Sequence, residues 1–339
     1  FEPEDGNDAS LSTQPMKPVP LLAALLATVV SLQAVTLEGK QKLVFIAGKP
    51  SHPPGMHEFR AGTMLLEQCL KSVPNLVVDR HEMGWVSDEK TFEDADAVVI
   101  YADGGGRHPA VVDGHLETLR KLIAKGVGFG CMHYGVEVVA GQAGKEFQEW
   151  LGGHYENAYS CNPIWDATYT ALPKHPISNG VLPFATKDEW YIHMRFRPAF
   201  GHGVTPAEDG AAKFVPILVA TPSDSTRDGP YVAPKGPYPH IQAEKGSPET
   251  MMWTLERPDG GRGFGFTGGH FHANWGNDNV RKAVLNALLW VSKVEVPEKG
   301  VESVVSPEAL TQNLDPKPAP KPKNASTETP RVFQRVATR

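Results

Sequence analysis

Gly126 to Glu137 reads GVGFGCMHYGVE. Val127 to Gly130 has the apolar character of a buried strand, and the small residues Gly130 and Gly135 let the chain turn sharply into a helix. His133 is then the centre of a strand-to-helix elbow. That geometry holds a reactive side chain above the end of a parallel sheet, beside the positive end of the following helix.

Outward from the elbow, Leu43 to Ala47, Leu76 to Val78 and Ala97 to Tyr101 are further short apolar runs. Between them Phe59, Gly62, Leu66, Cys69 and Val73, and then Val112, Leu116, Leu119 and Ile123, recur at helical spacing, the second set stopped by Gly126. Strands alternating with helices predict an α/β fold with a doubly wound, mainly parallel sheet, covered on both faces and binding ligands at the carboxyl ends of its strands. Past Gly141 the pattern is less regular. Phe214 to Ala220 reads as one strand within Pro-, Gly- and Asp-rich excursions over 206–248. Met251 to Leu255 and Gly263 to Thr267 flank Asp259-Gly260-Gly261 and predict a hairpin, and Val280, Val284, Ala287 and Val291 mark a last helix.

The chain has 339 residues, 40% hydrophobic and 21% charged, with a net charge of -6. One large domain with tails fits that length, and an acidic balance argues against nucleic acid. Cys69, Cys131 and Cys161 contain no CxxC pair, so neither a disulfide framework nor a zinc ribbon follows. Met16 and Lys17 precede an apolar run, Leu21 to Leu32, with small residues at its exit up to Ala34. These are the parts of a secretory signal, shorter than the ~20 residues of a membrane span. The expected organisation is an upstream extension at 1–15, a signal peptide at 16–34 cleaved near Ala34, a domain at 42–294 and a Pro-rich disordered tail at 297–339. The tail, with PKPAPKP at 316–322, should be dispensable for folding. A periplasmic or secreted protein with no stable membrane span is the expectation.

In class I glutamine amidotransferases the elbow reads G-x-C-x-G. Cys131-Met132-His133-Tyr134-Gly135 puts histidine where those proteins carry cysteine, and Gly268-Gly269-His270-Phe271-His272 resembles the strand end that delivers their catalytic histidine. Over roughly Lys42 to Val294 the chain resembles the ThuA-like family, named for trehalose utilisation. The resemblance rests on the loop with His52 and His57, the GFGCMHYG elbow, Trp150-Leu151-Gly152-Gly153, His175-Pro176-Ile177, Asp188-Glu189-Trp190-Tyr191 and Gly269-His270. It implies a flavodoxin-like or glutamine amidotransferase-like fold and a role in carbohydrate metabolism, with a sugar or modified sugar as partner. The Pro-rich excursions and tail depart from shorter members, so substrate identity does not carry over.

Two chemistries suit these residues. His133, Glu189 and His270 form a candidate acid-base set, His133 being a base whose cationic form the helix dipole disfavours. Such a set fits isomerisation or elimination beside a sugar carbonyl, or glycoside hydrolysis by an unusual route. Alternatively His133, Glu137, His270 and His272 hold a divalent metal such as zinc, since positions 133 and 137 share a helix face and 270 and 272 share a face of an extended segment. His52, His57, Trp190, Tyr191 and Trp275 are candidate substrate contacts. Cys131 points into the strand packing, and Trp165 and Trp253 read as core. A non-catalytic carbohydrate-binding or interaction protein on the same fold is the competing function.

Overall fold

Leu43 to Ala47 lies one strand in from the edge of the large sheet, with every side chain fully buried. In the computed structural model, which describes residues 39–318, the strands are β1 (Gln41–Ala47), β2 (Leu76–His81), β3 (Ala97–Tyr101), β4 (Gly128–Met132), β5 (Gly153–His154), β6 (Trp165–Tyr169), β7 (Phe184–Asp188), β8 (Arg195–Phe196), β9 (Ala207–Asp209), β10 (Ala212–Ala220), β11 (Glu249–Glu256) and β12 (Arg262–Phe266). Eight of them form a sheet in the order β2-β1-β3-β4-β12-β11-β10-β9. The five from β2 to β12 run parallel. The sheet then continues antiparallel through β11, β10 and β9, and the expected hairpin is β11–β12, with Met252 opposite Phe266.

The helices are α1 (Phe59–Leu70), α2 (His115–Ile123), α3 (Gln142–Leu151), α4 (Asp224–Asp228), α5 (Pro239–Ala243) and α6 (Asp278–Val291). Alternate residues of β1 supply two cores: Leu43, Phe45 and Ala47 pack with α1 and α6, whereas Val44 and Ile46 pack with α2 and α3. Burial on both faces is why the strand reads as a continuous apolar run. The fold is thus α/β, doubly wound and mostly parallel. Because β2 and β3 flank β1, the connections leave in opposite directions at the β1–β3 boundary, where such sheets open a crevice.

Three regions differ from the sequence reading. After β4 the chain makes only a 3-10 turn, His133–Val136, and α3 starts at Gln142. The irregular stretch past Gly141 contains an antiparallel hairpin, β6–β7, while β9, α4 and α5 surround β10 in the Pro-rich region. The third difference is in the expected tail. From Pro297 to Lys317 it lies against the domain, with Val301 4% and the Lys317 side chain 2% exposed. Average polarity predicts a free segment, but a charged side chain can be buried where an ion-pair partner and hydrogen bonds offset the cost of its desolvation. The extension at 1–15, the signal at 16–34 and residues 319–339 lie outside the described residues. Among the described residues no helix is long and apolar enough to cross a membrane.

Candidate metal and substrate site

The carboxyl ends of four adjacent strands, β1, β3, β4 and β12, converge on one place. His133 directly follows β4, is fully buried and has φ 51°, a left-handed conformation uncommon outside glycine. Its Nδ1 lies 2.8 Å from the Thr267 carbonyl oxygen. A carbonyl only accepts, so Nδ1 carries the proton and Nε2 presents a lone pair inward. His57, in the loop after β1, places Nδ1 2.8 Å from the Asp103 carboxylate; with Asp103 ionised, it too donates outward and turns Nε2 inward. The two Nε2 atoms are 3.0 Å apart. His270 brings Nδ1 to 3.0 Å from His57 Nε2 and 3.2 Å from His133 Nε2. Glu189 Oε2 closes the group, 2.7 Å from His270 Nδ1 and 3.6 Å from His133 Nε2.

Backbone anchoring explains this convergence. The fully buried Asp188 carboxylate accepts the N–H groups of Gly269, His270 and Phe271 at 2.7, 3.1 and 3.3 Å, and the Tyr101 hydroxyl donates to the Gly269 carbonyl. Gly269 has φ +100°, which a side chain would strain. Asp188 therefore sets the turn that carries His270, while Glu189 beside it enters the cluster. Asn162 Nδ2 donates to Glu189 Oε1 at 2.8 Å, leaving Oε2 for the histidines. The loop with Asp103 seats directly on the elbow, where a Cβ at Gly104 would overlap the Tyr134 carbonyl oxygen.

Burial, then the neighbouring histidines, push the His57 and His133 imidazolium forms far below the usual range, and burial raises the Glu189 carboxyl. Two inward lone pairs 3.0 Å apart repel unless a cation, or an N–H such as that of His270 Nδ1 at 3.0 and 3.2 Å from them, faces both. Three imidazole nitrogens and one carboxylate oxygen are a donor set for a divalent transition metal. A tetrahedral ion with ~2.0–2.1 Å bonds holds its ligands ~3.3–3.4 Å apart. Five of the six separations are 2.7 to 3.6 Å and bracket that value, and the sixth, between His57 and Glu189, is within 4.8 Å. The outward partners Asp103 and Thr267 are of the kind that orient metal-bound histidines. The residues fit a metal.

The structure brings together His133, Glu189 and His270, and adds His57, expected only as a substrate contact. His272 does not join them: it opens a separate 3-10 turn, its pKa is lowered to about 4 by burial, and among the described residues neither ring nitrogen has a hydrogen-bond partner. Glu137 is extended and bridged to Tyr155, so it shares no helix face with His133. It lines a cavity of ≈ 270 Å³ beside the cluster, where burial, then Glu189, push its carboxyl up to about 7. His52, His57, Glu189 and Tyr191 line this cavity, with Tyr134, Asn157 and Asn162 adding polar groups and Val232 to Pro234 completing the wall.

Trp190 and Trp275 are fully buried in the core and cannot stack on a ligand; Trp165 and Trp253 are buried as read. The Tyr191 ring packs 5.1 Å from that of His133. His52 is exposed and stacks on His57 at 3.5 Å. The Cys131 thiol is fully buried and its pKa raised by desolvation. A groove of similar size, ≈ 290 Å³, lies between α1 and residues 304–313, away from the cluster. Asp103, Asn162 and the wall at 232–234 escaped the sequence reading; Asp103 had one signal, its place at the end of an apolar run.

Residues 54–291 match the family described as ThuA: Trehalose utilisation. The chain belongs to the ThuA family. All four convergent residues of this ThuA-family protein fall inside the match, whereas residues beyond 291 do not. Its fold is similar to that of a protein from Bacteroides uniformis ATCC 8492 described as thua-like, at TM-score 0.50 and 11% identity over 76% of this chain and 94% of that one. A Parabacteroides merdae ATCC 43184 protein described as thua-like superposes at TM-score 0.48 and 14% identity, covering 78% and 93%. The glutaminase domain of a Trypanosoma brucei CTPS gives 0.42 and 10%, covering 77% and 98%. No curated protein matches the chain.

Proposed function

We propose that this ThuA-family protein is an enzyme acting on a sugar or keto-sugar, with a divalent metal ion, zinc in the simplest case, held by His57, His133, His270 and Glu189. The observation that carries this reading is the meeting of two imidazole lone pairs at 3.0 Å in a buried group completed by a third histidine and a carboxylate. Family membership supports the sugar, as do the polar side chains of the cavity. The ≈ 270 Å³ volume lies just below the ~300–1,000 Å³ of ordinary ligand pockets, which suits one sugar ring better than a whole disaccharide. With both tryptophans buried, recognition falls to hydrogen bonds from Tyr134, Asn157 and Asn162.

An ion held by all four groups would supply Lewis acidity to an oxygen of the bound sugar only by expanding to a fifth ligand. Glu137, whose carboxyl burial and Glu189 push up to about 7 in the metal-free protein, lines the same cavity and is the group placed to take a proton from substrate and return it. Proton removal from the carbon beside a sugar carbonyl is the reaction class this suits, and it begins either isomerisation or elimination. The test is a screen of keto-sugars and disaccharides with purified, chelator-treated and zinc-restored protein. Turnover lost on chelation and regained with zinc is the expected result. Saturable sugar binding with no turnover by any form would make the protein a carbohydrate-binding one instead.

A further inference from the structure

Beyond the residues that match the family, the chain comes back to the loop that carries His57. The Lys317 ammonium donates to the carbonyls of Met56 and His57 and pairs with Glu58 Oε1 at 3.1 Å, the two side chains 2% and 0% exposed. Glu58 Oε1 also accepts the Gly55 N–H, and Oε2 accepts the Asp315 N–H, both at 2.8 Å. Every residue from Gly55 to Glu58 is thereby held by the Glu58–Lys317 pair. The same four residues are joined to the strand end bearing His270: His57 N–H donates to the His270 carbonyl and His272 N–H to the Gly55 carbonyl, each at 3.0 Å.

We infer that Asp315–Lys317 is a clasp that completes the metal site, with Lys317 a positioning residue for His57; this rests on the metal reading of the cluster. A buried ion pair is a poor source of stability, because desolvation offsets most of the attraction and an apolar pair of equal volume serves as well. What it supplies here is direction. One ammonium gathers two consecutive carbonyls and a carboxylate, which fixes the backbone of His57 at φ 48° and so the line along which its ring reaches the cluster. A ligand misplaced by ~1 Å binds metal poorly.

The test uses full-length, metal-stripped wild-type protein, Lys317→Met, Lys317→Arg and the double variant Glu58→Gln/Lys317→Met, in which no buried charge is left alone. Each is titrated with Co²⁺, followed by its visible absorption, and amide exchange is measured at 55–58 and, as a remote control, at 212–220. Lys317→Met and the double variant should bind Co²⁺ about tenfold to a hundredfold more weakly, the loss typical of a group that orients a ligand. Exchange should rise at 55–58 alone, and Lys317→Arg should recover part of the affinity. Co²⁺ affinity within twofold of wild type in the folded double variant, with only a lower thermal midpoint, would reduce the clasp to an anchor and overturn the proposal. If wild-type protein takes up no Co²⁺, the metal reading fails separately, and exchange at 55–58 alone decides whether Lys317 positions this loop: unchanged exchange overturns it.

Discussion

Replacing His133 by Ala acts differently on the metal-free and metal-loaded protein. Without metal, the variant leaves the buried Thr267 carbonyl without its donor, a loss of about 1–3 kcal/mol, but relieves the lone-pair contact with His57. With metal, it removes a ligand. Thermal melts with and without Zn²⁺ should therefore show a marked rise for wild type and almost none for His133→Ala. An equal rise in both would exclude His133 from the ligand set. Glu137 offers a test by pH. Its folded pKa is raised to about 7, so it favours the folded state below the unfolded value near 4.3, and that contribution is lost as pH rises through 7. In metal-free protein, Glu137→Gln should be more stable relative to wild type at pH 8 than at pH 5, by denaturant titration; the opposite trend would contradict the environment assigned to it. His133 was legible because glycines bracket it. Asn162 was not, since a lone amide in a loop carries no periodic signal and its role depends on a carboxylate 27 positions away.

The elements differ in how openly the sequence declares them. The parallel strands are buried on both faces and stand out as apolar runs; β6 and β7 are short and alternate instead, with Trp165, Ala167 and Tyr169 inward, a pattern easily lost between loops. That hairpin matters because it ends in Asp188 and Glu189. Asp188→Asn keeps the shape but turns an amide N–H₂ toward backbone donors, so it should lower stability by about 1–3 kcal/mol and weaken metal binding through His270. Unaltered Zn²⁺ affinity in that variant would show that the turn at 269–271 holds without the carboxylate. The elbow was read correctly as a turn and incorrectly as a helix start. Its 3-10 turn ends at Val136, so burial and the neighbouring histidines, rather than a helix dipole, depress His133.

Across the whole molecule, the four candidate ligands come from four separate chain segments, and the C-terminal residues return to the first of them. No local pattern reveals such a meeting; the order of motifs suggested that His133 and His270 face each other, but the sheet topology was needed to add His57. The tail shows the same limit, since composition predicts a free segment and the Lys317–Glu58 pair contradicts it. Truncation after Pro307 should lower the thermal midpoint by on the order of 10 °C, because breaking a buried pair costs about 3–5 kcal/mol; a midpoint within two or three degrees of wild type would return the tail to its expected dispensable status. The central claim is most directly tested by elemental analysis of untagged protein purified without chelator, beside His57→Ala and His133→Ala. Wild type should carry about one equivalent of a divalent transition metal per chain, and both variants far less. Wild-type protein that is metal-free as isolated, and takes up neither Zn²⁺ nor Mn²⁺ at neutral pH, would contradict it.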